Sequence, residues 1–186
     1  MPMNMKTLLK LIIPLCFASP LHAGYFEDNY LFGASYIHQF ADLRAERGSA
    51  SETGNGFGVY LDTYVKHQYR IKSTLGYIHY NAFDVTELVF SADYLIPIEN
   101  SFSAFAGVAL GVASQKYQDS SLGNAASDSI YGTQAGVIKY IDNSHLLELG
   151  FRQRNTGIQT VVDSIPVSQI TVKSLNEVYI SVLFMF

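Results

Sequence analysis

Cysteine is almost absent from this sequence. Its single thiol, Cys16, lies within the first 23 residues, and the remaining chain has none. That rules out disulfide staples and thiolate metal sites in the rest of the molecule. A basic excess is missing as well. Lys6 and Lys10 are the only charged side chains before residue 24, so ten basic residues face sixteen acidic ones beyond it. A nucleic-acid binder needs a basic face to neutralise phosphates, and this chain offers the opposite balance. Histidine is sparse and scattered, which leaves only a loop carboxylate site for a hard cation as a conceivable metal centre. Finally, no apolar run after residue 23 approaches the ~20 residues a membrane-spanning helix needs. If the chain crosses a membrane it does so as a closed barrel, the only other structure that satisfies every backbone group in hydrocarbon.

The first 23 residues read as a secretory signal peptide. Lys6 and Lys10 form the positive start, 11–18 the apolar middle and 19–23 a small-residue exit. The mature domain is then expected to be 24–186, a length suited to one domain.

Beyond residue 23 the dominant pattern is alternation. Segments at about 30–39, 56–66, 69–80, 85–96, 102–115, 129–140, 145–155 and 176–186 have strand character, near the ten residues of a tilted transmembrane strand. A period of two sends successive side chains to opposite faces. In 56–66, Phe57, Val59 and Leu61 oppose Gly58, Tyr60, Asp62 and Lys66. In 145–155, Leu147, Leu149 and Phe151 oppose Glu148, Gly150, Arg152 and Arg154. In 176–186, Val178, Ile180, Val182, Phe184 and Phe186 oppose Glu177, Tyr179, Ser181 and Leu183. A soluble barrel would bury the apolar face and wet the charged one. Here the charged face also carries the small residues that a narrow lumen needs, so the apolar face is assigned to lipid. The segment 30–39 does not separate cleanly into two faces.

Connections near 67, 98 and 143 are short, whereas 41–55, 116–128 and 156–173 read as long loops; only 81–84 breaks the rule. Short turns on one side and long loops on the other fit the periplasmic and extracellular ends of an outer-membrane barrel. The segments 158–162 and 167–172 read as strands continuing past the membrane as a hairpin. Aromatics fall near segment ends, Tyr30, Tyr64, Tyr69, Tyr94, Phe102, Tyr140 and Phe186 on the short-turn side, and Tyr36, Phe40, Phe57, Tyr77, Phe83, Tyr117, Tyr131 and Phe151 on the other. That fits interfacial girdles.

These features together resemble the OmpA/OmpX-type eight-stranded outer-membrane β-barrel family, with the opacity-type and accessory-colonisation barrels of Gram-negative surfaces as relatives. The end of the chain is similar to that family's assembly signal through Tyr179, Phe184 and Phe186, with Ser181 where the family has glycine. The resemblance implies an all-β, eight-stranded antiparallel transmembrane barrel in the Gram-negative outer membrane. The partners it implies are outer-membrane lipid and the barrel-assembly machinery.

The inward set is Asp62, Lys66, Arg70, Lys72, Glu87, Asp93, Glu148, Arg152, Arg154 and Glu177, five acids and five bases. An eight-stranded barrel is just wide enough for side chains to fill, and buried charges cost several kcal/mol each unless paired. An ion-pair network that plugs the lumen is therefore expected in preference to an open pore. His38 and His79, with Asp84 and Ser114, are the enzyme candidates near the outer rim, but they show no nucleophile–base spacing and are not expected to converge. The expectation is a monomeric, non-enzymatic surface protein without cofactor, metal or nucleic acid. An extracellular protein or surface ligand would bind its loops 41–55, 116–128 and 156–173 in adhesion, host contact or envelope interaction. A small pore is the alternative, and a lipid-modifying enzyme ranks behind both.

Overall fold

A computed structural model describes residues 26–45, 48–65, 68–99, 101–118, 125–162 and 168–186. The expected signal peptide, Lys66, and parts of the expected loops (46–47, 119–124 and 163–167) lie outside the described residues. The described chain forms β1 (Phe26–Ala45), β2 (Gly48–Val65), β3 (Tyr69–His79), β4 (Phe83–Glu99), β5 (Phe102–Tyr117), β6 (Ala126–Tyr140), β7 (His145–Thr156), β8 (Gln159–Val162) and β9 (Ser168–Met185). All pairings are antiparallel. The sheet runs β1-β2-β3-β4-β5-β6-β7-β9, and β9 pairs back onto β1 to close an eight-stranded barrel, with β8 as a short ninth strand on β9 alone. No described residue is helical.

The register fixes the barrel's shape. Tracing paired residues once around, Leu31 leads through Asp62, Lys72, Ser91, Ala109, Gly132, Arg154 and Leu175 to Ala41, ten residues further along β1. With strands ~4.8 Å apart and ~3.3 Å per residue, that stagger tilts the strands by about 40°. Closure leaves no edge within the barrel wall, so the backbone groups there are paired as a lipid environment demands.

Alternation is strict on every barrel strand. Phe32, Leu61, Ile71, Val108, Leu149 and Ile180 stand on the outside, largely exposed. Their partners in alternation line the lumen. The ambiguous first segment is resolved by its neighbours: Phe32, Tyr36 and Phe40 face out, while Leu31, Ser35, Ile37 and Gln39 are buried inside. Leu31 and Ile37 obscured the pattern because the lumen itself contains apolar layers. Moving toward the 68, 101 and 141–144 turns, Asp62, Asp93 and Glu148 give way, two residues on, to the buried Tyr64, Leu95 and Leu146. At the other end, Glu87 and Glu177 give way to Phe83 and Val85 and to Leu175. The charges sit between two apolar caps.

Three sequence expectations change. Much of 41–55 is strand, since β1 and β2 stay paired up to Ala45 opposite Gly48. Likewise 116–117 and 126–128 are strand, and 159–162 pairs with 168–171 as the expected hairpin. Polar, small residues such as Ser49, Ser51 and Thr53 suggested loop, but an antiparallel partner in register overrides propensity at such positions. Finally, Tyr64, Phe83 and Tyr117 are not girdle residues but buried lumen side chains. Tyr30, Tyr69, Tyr94, Tyr36, Phe57, Tyr77, Tyr131, Phe151 and Phe186 do stand on the exterior.

Candidate functional site: the lumen and its outer mouth

Parity places the lumen charges, because each occupies an inward position of a paired strand. Asp62, Arg70, Lys72, Glu87, Asp93, Glu148, Arg152, Arg154 and Glu177 are all buried. What parity cannot give is who meets whom across the barrel. On the side of the tight turns, the Arg70 guanidinium donates through Nε (3.0 Å) and Nη2 (2.8 Å) to Asp93 Oδ2, and its Nη1 contacts Glu148. Asp62 lies 3.7 Å from the same Nη1. Lys72 Nζ donates to Glu148 Oε1 at 2.6 Å, and the Tyr179 hydroxyl donates to that oxygen at 2.8 Å.

A second cluster lies further out. Arg152 Nη1 donates to Glu177 Oε1 at 2.8 Å, Arg154 contacts the other Glu177 oxygen, and Gln39 Nε2 donates to it at 2.9 Å. Arg154 Nη1 also lies 2.8 Å from Glu87. Gln134 joins the clusters, donating to Asp93 Oδ1 at 2.5 Å and accepting from Arg152 Nε at 2.8 Å. The Tyr80 hydroxyl donates to Gln39 Oε1 at 2.6 Å, which extends the chain of polar contacts toward the outer mouth. Gln39, Gln134 and the tyrosines are links that the charge count passed over. Their signal is the same inward parity, borne by uncharged polar residues.

Rings complete the packing. Arg70 lies 4.7 Å from the Phe105 centroid, Lys72 4.7 Å from that of Tyr60, and Arg152 5.1 Å from that of Tyr179. Each buried cation thus has carboxylate oxygen and an aromatic face, the two partners that best offset its desolvation. Two glycines make room for the rings. A Cβ on Gly150 would collide with the Tyr179 ring, and one on Gly136 would fall 2.6 Å from Phe105. Lys72, Glu148, Arg152, Arg154 and Glu177 have no exposed surface at all. No space as large as a water molecule adjoins them, so the middle of the lumen is filled.

The histidines lie elsewhere. His38 Nδ1 is 2.7 Å from Asn55 Oδ1, which also accepts from the Tyr36 hydroxyl at 2.8 Å. His79 and Asp84 do meet, at 2.7 Å, contrary to the sequence expectation, because they are paired residues across the β3–β4 hairpin. Ser114 stands opposite Thr86, on the β4–β5 pair. No nucleophile completes the His79–Asp84 pair. Among the described residues no group of three or more His, Cys, Asp or Glu side chains could hold a metal ion. At the turn before β7, Asp142 accepts from the Ser144 and His145 backbone N–H groups at 2.7 and 2.9 Å, with the His145 ring 2.9 Å away. Those donors hold its carboxyl below the usual range.

No family model matches the chain, and no curated protein sequence matches it. Solved structures do. Neisserial surface protein A is similar with a TM-score of 0.67 at 14% identity, over 87% of this chain and 99% of that one. The outer membrane protein AlkL gives 0.56 at 14% identity, over 90% and 94%. Ail, the attachment invasion locus protein of Yersinia pestis, gives 0.54 at 9% identity, over 85% and 98%. At such identities the likeness is one of fold: a small eight-stranded barrel of outer-membrane type.

Proposed function

We propose that this chain is a non-enzymatic surface protein of a Gram-negative outer membrane, and that it captures an extended segment of an extracellular polypeptide on a sheet that continues beyond the barrel. One observation carries the reading. Above the level where β3 ends at His79, residues 48–54 of β2 remain paired with β1 but have no described strand on their other side. β1 in turn pairs there with β9, and β9 with β8, so four strands project as a sheet bounded by β2 and β8. An exposed sheet margin presents unpaired N–H and C=O groups to which a partner strand can add. The exterior supports the membrane assignment, since a continuous band of large apolar side chains around a closed barrel has hydrocarbon as its matching solvent. The name of the similar Yersinia pestis protein, which records attachment, agrees with a surface role.

The test is to replace 45–50 by a two-residue Asn-Gly turn, which shortens the β1–β2 projection and leaves the barrel wall intact. Heat-modifiable migration of the membrane-extracted protein reports the folded barrel. Cells carrying the shortened protein should lose adhesion to host matrix or host cells, and undiminished adhesion by a folded variant would refute the reading. A pore is disfavoured by the filled lumen, and purified protein in a planar bilayer should give a silent trace.

A further inference from the structure

The lumen repeats one arrangement: a carboxylate, a cation and an aromatic face. Glu148, Lys72 and Tyr60 form one instance, Asp93, Arg70 and Phe105 a second, and Glu177, Arg152 and Tyr179 a third. At the outer mouth the arrangement recurs with one member missing. Glu52 faces inward from β2, opposite the fully buried Ala41 of β1. Its carboxylate lies within electrostatic reach of the Tyr80 and Tyr117 hydroxyls. Tyr80 and Phe83 stack at 4.4 Å between ring centroids, and Phe83 meets Tyr117 at 5.7 Å, so three rings stand side by side.

No cation completes the set. Each of the five carboxylates deeper in the lumen has a Lys or Arg nitrogen within 4.0 Å. Glu52 forms no ion pair among the described residues, and its Oε2 is buried without a hydrogen-bond partner. Asp128, also inward at the mouth, has its oxygens engaged by the backbone N–H groups of Ser129 and Gly157. Across the mouth, Gln115 is 1% exposed and its Nε2 donates to nothing. A buried carboxylate without a partner is costly, and a buried unpaired donor adds to that cost. Both are relieved by a ligand bearing a cation with an acceptor close by.

We propose that the outer mouth of the barrel binds a ligand-borne primary ammonium group, held by the Glu52 carboxylate against the Tyr80, Phe83 and Tyr117 rings, with the Gln115 amide donating to an acceptor on the same ligand. Glu52 is only partly buried, so a cation arriving from outside meets it first. This site is separate from the β2 margin on the outer sheet, and either can fail without the other. Two sources present the same chemistry, a free amine and a lysine side chain of a polypeptide.

The experiment titrates the 15N-labelled, membrane-extracted protein in detergent micelles with Nα-acetyl-lysine amide and with pentalysine. Nα-acetyl-norleucine amide serves as the neutral counterpart. Amide shifts should move at Glu52, Tyr80, Gln115 and Tyr117 with the ammonium probes and stay still with the neutral one. Glu52→Gln should weaken binding about tenfold or more, in line with the loss of one paired charge beside aromatic faces. Asp84→Asn, outside the lumen, should bind as the parent does. Shifts with both probes assign a site open to free amines, and shifts with pentalysine alone assign a polypeptide source. The proposal is overturned if the neutral compound binds equally, if Glu52→Gln changes nothing, if Asp84→Asn weakens binding as much as Glu52→Gln, or if no probe moves these signals. Should Glu52→Gln lose heat-modifiable migration, Tyr117→Leu tests the ring arm by the same readout.

Discussion

Phe151 and Arg152 are neighbours in β7, yet they live in different media. Phe151 is 47% exposed on the barrel's exterior, while Arg152 has no exposed surface and donates to Glu177 and Gln134 from within. In a soluble barrel the two would exchange places. Here the exterior requires only that each side chain be apolar and about the right size, because lipid is a fluid partner that adapts to any shape. The interior requires a particular partner at a particular distance, because a buried charge left alone has nothing to relax into. The two faces of one strand should therefore differ in how they tolerate substitution.

Glu177→Ala strains that difference hardest. It removes the shared partner of Arg152, Arg154 and Gln39 at once, and breaking a buried pair on one side costs about 3–5 kcal/mol. The urea midpoint of the refolded barrel in lipid vesicles should drop accordingly. A variant as stable as the parent would mean that the network fills space without holding the fold.

Phe151→Arg comes next. Placing a guanidinium on the lipid-facing wall near mid-membrane costs about 2–4 kcal/mol, falling toward zero at the interface. Phe151→Leu at the same position should be nearly silent in the same unfolding measurement. If both substitutions at Phe151 behave alike, this part of the exterior does not face hydrocarbon.

The smallest effect is expected outside both media, at the β6–β7 turn. The folded Asp142 carboxyl titrates below its unfolded value because backbone and His145 donors stabilise its anion. Its contribution is present at pH values above about 4 and fades as the pH falls through the folded value. Asp142→Asn should therefore flatten a shallow slope in unfolding midpoint between about pH 4 and pH 2, and leave the midpoint at pH 7 little changed. A slope that persists in the variant would place its origin in the lumen carboxylates.

Legibility in the sequence divided along the same line. The lumen positions of Asp62, Arg70, Lys72, Glu87, Asp93, Glu148, Arg152, Arg154 and Glu177 come from counting by two along each segment. Strand β1 resisted the count because Leu31 and Ile37 are apolar residues that belong inside, in the layers that cap the charges. Tyr64, Phe83 and Tyr117 resisted it for the same reason, since an aromatic ring at a strand end looks alike whether it anchors at an interface or seals a lumen. The pairing of His79 with Asp84 was missed because it depends on where the β3–β4 hairpin turns, and a shift of one residue would have sent the two side chains to opposite faces.

The sequence by itself determined the all-β architecture, the count of barrel strands and the face each charged residue occupies, because alternation is a local property that every segment carries within itself. Only the tertiary structure decided that Glu177 meets Arg152 and Arg154, that Gln134 joins two clusters, and that Glu52 stands among rings without a cation. Those contacts cross the lumen between strands far apart in the chain. They depend on the barrel's ten-residue stagger, which is fixed when β9 closes onto β1 and which no single segment records.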